Sequence, residues 1–341
     1  MSTTALARAP VRIDPAGGGT DCPPFSAEHG GALVNFGVAR YVHARVETLP
    51  HTKAVTLISR DLNQEVRAET VGDLAINGTL DLLKGIAKRL APAWGFKLEV
   101  ESDVPPGSGL GSSGAVGVAC VGVFDEAAGT VRSQEQAAEL ANAVERVDLG
   151  HAGGNQDSYG AALGGWNLLT YHQGGGTSAR RMNVPAAAAL EIERLGVLVY
   201  TGEVHLSGSI HADIKRSYAL PNSPTLEAMK NLARVARESA AALEAGDVDG
   251  FGRLLSENWV HHKRLHESCD SARLRQFYAA AADHAVGGKT CGAGGGGCVF
   301  FLARDGQRRA LEHACEALGG RIIPFGLDRT GLTRWKAETT F

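Results

Sequence analysis

The sequence carries no surplus of positive charge. Its 34 Lys and Arg are set against 37 Asp and Glu, for a formal net charge of -3 and a pI near 6.5. That balance leaves no general basic surface for nucleic acid or an anionic membrane. A long apolar run is also missing: the longest, around residues 115–124, is too short to span a bilayer, and residues 1–11 contain no apolar core of the signal-peptide kind. A cytoplasmic protein with no nucleic-acid or membrane partner is therefore expected. Cysteine is sparse and scattered. Cys22, Cys120, Cys269, Cys291, Cys298 and Cys315 form no C-x-x-C pair and no zinc-site spacing, which predicts reduced thiols.

Of the 341 residues, 44% are hydrophobic and 21% charged, enough for a full core and, by size, two domains. Glycine stands out, with 44 residues gathered in clusters at 17–19, 107–114 and 292–297. Such clusters mark tight turns or places where a ligand touches main chain, because glycine tolerates positive φ and close approach. Between them, the alternation of apolar and polar residues predicts strands over 40–47, 53–59 and 95–102. Residues 115–128 suit a buried helix, and Ser133 with Gln136 opens a capping-box helix running to about Val147. A strand over 195–200 is followed by helices over 225–245, 248–266 and 271–285, a strand over 299–302, a helix over 308–318 and a strand over 321–325. This order predicts an α+β second domain beginning near residue 190.

The central cluster ends in Ser112-Ser113 and opens into a helix, so it presents unpaired N–H groups and the positive end of a helix dipole: a phosphate cradle. Two common phosphate motifs fail. Gly288-Lys289-Thr290 lacks the required earlier glycine, since Asp283 holds that position, and Gly107, Gly109 and Gly111 recur at every second residue, which is not the dinucleotide spacing.

The run from Pro105 to Ala115 resembles the nucleotide-binding signature of the GHMP kinases. Arg12 to Asp21 is similar to that family's substrate-side motif, and Lys289 to Cys298 to its C-terminal glycine motif. Within the family, Pro23, Pro24, Gly30, Gly31, the run Gly153 to Asp157, Trp259 and Lys263 most resemble the kinases that phosphorylate a heptose 7-phosphate at its anomeric hydroxyl. The resemblance implies a two-domain α+β fold: residues 1–190 like ribosomal protein S5 domain 2 and 191–341 ferredoxin-like. It implies ATP, bound by Pro106, Gly107, Ser108, Gly109, Leu110, Gly111, Ser112 and Ser113, and Mg2+, held by Ser113 and Glu145. One extra residue separates Glu145 from the following aspartate, so Asp148 stays open as the second ligand. Asp157 is implied as general base, Arg12 as the cation beside it, and Asp21 as a contact to sugar hydroxyls. Gly18, Gly19, Thr20, Gly154, Gly294 and Gly295 complete the substrate side, and His205 and Ser207 follow a strand where related kinases carry a substrate-facing loop. A homodimer is left open.

The chemistry is coherent without the family name. In phosphoryl transfer the protein positions reactants and neutralises charge, which calls for a phosphate loop, a metal carboxylate, a base and a cation. The segment 261–266, with His262 and His266 one helical turn apart, has no third metal ligand and reads as a polar helix face. A phosphorylated sugar substrate also requires a cation for its distal phosphate, with Arg40, Lys215 and Lys263 as candidates. Two rivals stand: a kinase for a free hexose or fucose, and a sugar and ATP sensor without catalysis.

Overall fold

The protein, described as a computed structural model over residues 2–203 and 207–337, contains two sheets flanked by helices. In chain order the elements are β1 (Thr4–Ala16), α1 (Phe25–His29), β2 (Gly31–Leu49), β3 (Val55–Ser59), β4 (Gln64–Ala68), α2 (Asp81–Leu90) and β5 (Gly95–Ser102). They continue as α3 (Ser112–Ala128), α4 (Gln134–Ala143), α5 (Gln156–Leu163), β6 (Trp166–Tyr171), β7 (Thr177–Arg181), α6 (Ala186–Leu195) and β8 (Gly196–Tyr200). The remainder is α7 (Ser207–Tyr218), α8 (Pro224–Ala245), α9 (Val248–His262), α10 (Ala272–Ala281), β9 (Ala285–Thr290), β10 (Cys298–Ala303), α11 (Arg308–Ala317), β11 (Arg321–Ile323) and β12 (Thr333–Lys336).

The larger sheet runs β12-β1-β2-β5-β3-β4, with β6 and β7 continuing from the other half of the long strand β2. The smaller sheet runs β11-β8-β10-β9 and is antiparallel at every pairing. The expected capping box is present: Ser133 Oγ accepts from Gln136 N–H, and Gln136 returns to Ser133 N–H. The helix it starts becomes a π-turn over Val144–Asp148. The helix expected over 271–285 and closed by Gly287 ends at Ala281, and Ala285–Thr290 form β9, because Gly287 and Gly288 leave room for close approach. A Cβ at Gly287 would stand 1.8 Å from Gly252 O, and one at Gly288 would stand 2.2 Å from the Phe301 ring.

β1 lies between β12 and β2 in its sheet, and its residues from Ala9 to Ala16 are all buried. Against it lies α3, apolar enough to be buried along most of its length, so the helix that opens at Ser112 is anchored by packing on both sides. This packing brings the loop before α3 to the end of β1, where the site forms.

Candidate active site

Strand alternation puts Arg12 and Asp14 on one face of β1. Arg12 is buried and makes a two-pronged contact with Asp157, its Nε and Nη2 donating to Oδ1 at 3.0 and 2.7 Å. Asp157 lies in the first turn of α5, its side chain 19% exposed, so it is paired yet open to the cavity. The contact needs close packing. A Cβ at Gly114 on α3 would stand 2.7 Å from Asp157 Cβ, and one at Gly160 would stand 2.8 Å from Arg12 Cβ. Burial disfavours the Arg12 charge, but Asp157 and then Asp14 outweigh it and hold the guanidinium more firmly protonated than usual.

The loop before α3 explains its own spacing. Gly107, Gly109 and Gly111 all have positive φ (71°, 77° and 71°), so the every-second-residue glycines are the left-handed positions of one coil. Its middle is held by Arg12, whose N–H donates to Leu110 O at 3.0 Å and whose Nη1 donates to Gly109 O at 2.7 Å. The C-terminal glycine run packs against it, backbone to backbone. Cys298 N–H donates to Ser108 O at 2.8 Å, and a Cβ at Gly109 would stand 2.6 Å from Cys291 O.

These pieces enclose a cavity of about 240 Å3 whose lining includes Arg12, Asp14, Gly18, Gly19, Asp21 and Asp157. From the phosphate loop and the next helix, Gly107, Ser108, Gly109, Gly111, Ser112, Ser113 and Glu145 also line it, as do Gly154 and Gly294. Asp21 is buried. Burial raises its pKa, the Asp157 charge adds to the rise, and His211 and Arg146 oppose it. His211, on α7, is pushed down by burial.

Other expected residues are elsewhere. Thr20 is buried, and its Oγ1 lies 2.8 Å from Gly17 O and 2.9 Å from Ala32 O, so it holds the turn and does not line the cavity. Leu110 points into the core, Pro106 is exposed beyond the cavity lining, and Gly295 N–H is spent on Cys269 O at 2.7 Å. Ser207 heads α7, its side chain outside the described residues, as is His205 entirely. Asp148 is on the surface, paired with Arg89 at 3.2 Å, while Glu145 is buried on the cavity wall with Arg146 Nη2 at 3.6 Å. The π-turn is the cause: the extra residue is absorbed by the Leu149 N–H to Val144 O bond.

Among the expected phosphate cations, Arg40 donates to the neighbouring Ala39 O and Lys263 is exposed, 5.8 Å over the Trp259 ring. Lys215 lines only a small recess of about 20 Å3 that adjoins the cavity at Gly19, His211 and Ile214. Arg146, missed in the sequence, lines the cavity itself and donates to Gly154 O and Ala152 O at 3.0 and 2.7 Å. His262 is not on a polar face: it is buried on the cavity wall, 2.9 Å from Ala293 O through Nε2, and burial followed by the Lys289 charge pushes it down to about 4. Asp14 and Lys289 were also missed. They form a fully buried ion pair at 2.6 Å. All six cysteines are free thiols.

Among the described residues no group of three His, Cys, Asp or Glu could hold a metal alone. Mg2+ does not require one, since it is usually held by one or two carboxylates plus substrate phosphates and water. Glu145 and Ser113, both lining the cavity beside the phosphate loop, offer a carboxylate and a hydroxyl that fit that donor set.

Two sequence patterns match this architecture: that of the GHMP kinases N terminal domain over residues 81–165 and that of the GHMP kinases C terminal over 239–320. A mevalonate kinase of Pyrococcus horikoshii is 31% identical over 245 residues, covering 70% of this chain and 68% of the relative. The chain belongs to the GHMP kinase family. It is similar along nearly its whole length to the D-glycero-alpha-D-manno-heptose 7-phosphate kinase of Campylobacter jejuni, at 29% identity over 98% of this chain and 99% of that one. A crystal structure described as a D-glycero-D-manno-heptose 1-phosphate kinase from Bacteroides thetaiotaomicron superposes with a TM-score of 0.81 at 27% identity, covering 98% of this chain and 100% of its own. Membership of the family makes this protein a kinase with ATP as phosphoryl donor.

Proposed function

We propose that the protein transfers the γ-phosphoryl group of ATP to the anomeric hydroxyl of D-glycero-D-manno-heptose 7-phosphate, giving the 1,7-bisphosphate for nucleotide-activated heptose synthesis. The observation that carries the chemistry is the Arg12–Asp157 contact at the cavity, facing the phosphate loop. Similarity over the full length to a heptose 7-phosphate kinase supports the substrate.

The anomeric oxygen attacks the γ-phosphorus as its proton passes to Asp157, the bond from the γ-phosphorus to the β-bridging oxygen breaks, and ADP leaves. Arg12 orients Asp157 through the two bonds to Oδ1 and screens the charge on the transferring group. The coil of residues 107–111 and the start of α3 offer main-chain N–H groups to the nucleotide phosphates. Mg2+, which neutralises charge between the β- and γ-phosphates in such reactions, would be held by Ser113 and Glu145. Asp21, Gly18, Gly19 and Gly154 shape the sugar side, and Arg146, facing the same cavity, is a candidate cation for a substrate phosphate. A sensor without catalysis would have no use for a carboxylate held open and paired in this way.

ADP release measured against a panel of free and phosphorylated sugars, with phosphorus NMR of the product, tests the reading. A new phosphate on the anomeric carbon of heptose 7-phosphate is expected. Turnover only with free fucose or a free hexose would replace the substrate and leave the kinase class standing.

A further inference from the structure

Arg12 sits between two carboxylates and bonds to only one. Its Nε and Nη2 donate to Asp157, while Nη1 stands 3.7 Å from Asp14 Oδ1. Asp14 is the more deeply buried, its side chain 1% exposed against 19% for Asp157. Left alone it would be the stronger competitor for the guanidinium, because attraction grows as water is excluded. Two other donors occupy it. Lys289 Nζ donates to Oδ2 at 2.6 Å and Gly292 N–H donates to Oδ1 at 2.9 Å, from positions 275 and 278 residues further along the chain.

We propose that the buried Asp14–Lys289 pair positions Arg12 on Asp157: Asp14 ties β1 to the C-terminal glycine loop, and Lys289 neutralises Asp14 so that the tie does not draw Arg12 away. The inference rests on the phosphoryl-transfer reading of Arg12 and Asp157. Lys289 is a positioning residue, 1% exposed and roofed by the substrate-side turn, where a Cβ at Gly18 would stand 2.6 Å from Asp14 Oδ2 and 3.4 Å from Lys289 Nζ. The result is an alternating row, Asp157, Arg12, Asp14, Lys289, with no net charge. Two groups beside its inner end add none at neutral pH: burial pushes His262 down to about 4 and the Cys291 thiol up to about 12.

The test compares Lys289→Met, Lys289→Arg and the double variant Asp14→Asn with Lys289→Met, assayed where circular dichroism shows each folded, with nucleotide affinity measured separately. Asn keeps the acceptor for Gly292 N–H and removes the charge. Lys289→Met is expected to lower kcat on the order of 100-fold, the scale of a displaced active-site group, while nucleotide affinity changes less than ~3-fold. Lys289→Arg should recover part of the loss. The double variant should recover kcat to within ~10-fold of the parent, because no unpaired buried charge remains to compete for Arg12. A double variant no faster than Lys289→Met would overturn the proposal, since Lys289 would then be needed for itself; so would parental kcat in Lys289→Met. If Lys289→Met does not fold, the double variant decides alone: folded but at least ~100-fold slower than the parent, it contradicts the proposal. Asp157→Asn, assayed in parallel, separates the two levels. Full turnover there would remove the base assignment, whatever the Lys289 variants do.

Discussion

Asp157 depends on one oxygen: Oδ1 takes both bonds from Arg12, which leaves the rest of the carboxylate for the substrate hydroxyl. Asp157→Asn removes the proposed base and keeps the shape, so turnover should fall by at least ~100-fold while ATP still binds. Steady-state rates with nucleotide binding by calorimetry check it, and near-normal turnover would take Asp157 out of the mechanism. Arg12, Asp21 and Asp157 were legible because each sits in a short glycine-marked motif. Asp14 and Lys289 were not. Their 275-residue separation hides the pair, and Lys289 looked like part of a failed phosphate motif when it is the counter-ion of a buried strand carboxylate.

At the level of elements, the π-turn over Val144–Asp148 puts Glu145 on the cavity wall and Asp148 on the surface, which favours Glu145 as the proposed metal ligand. Glu145→Gln should raise the Mg2+ concentration for half-maximal rate by ~10-fold or more, whereas Asp148→Asn, altering a surface pair with Arg89, should shift it less than ~2-fold. Magnesium titrations of both variants distinguish the two, and the reverse order would move the ligand by three residues. The two glycine loops make a second test. Gly109→Ala meets positive φ and the Cys291 carbonyl together, so it should weaken ATP binding by at least ~10-fold and lower the melting temperature. Gly174→Ala has positive φ but nothing within 4 Å, and should cost about 1 kcal/mol of stability with ATP affinity retained. Strongly marked elements were readable in sequence: the capping-box helix, the 22-residue α8 closed by Gly246, and β5. β9 was not, because glycines that admit neighbouring backbone look like helix stops until that neighbour is known.

In the whole molecule, the last described strand, β12, returns to pair with β1, so the strand that carries Arg12 and Asp14 is flanked by residues from both ends of the chain. Burial, followed by the Lys289 charge, holds His262 at about 4, below its ordinary 6.5. The unfolded chain therefore binds a proton between these values that the native state refuses, and stability falls as pH drops from 6.5 toward 4, by up to about 3 kcal/mol. The melting temperature should fall more steeply over that range in the parent than in His262→Gln. Asp14 acts lower: burial opposes its charge, but Lys289 and Arg12 outweigh it and depress its pKa, so its contribution is present above the usual carboxylate range and lost only below it. The proposed function turns on the acceptor, because a remote phosphate would supply binding energy that helps orient the anomeric oxygen against Asp157. The most direct measurement is kcat/KM for D-glycero-D-manno-heptose 7-phosphate beside the unphosphorylated heptose. A preference of at least ~100-fold for the phosphorylated sugar, weakening in high salt, is the expected result, and equal efficiency on the two would contradict the account.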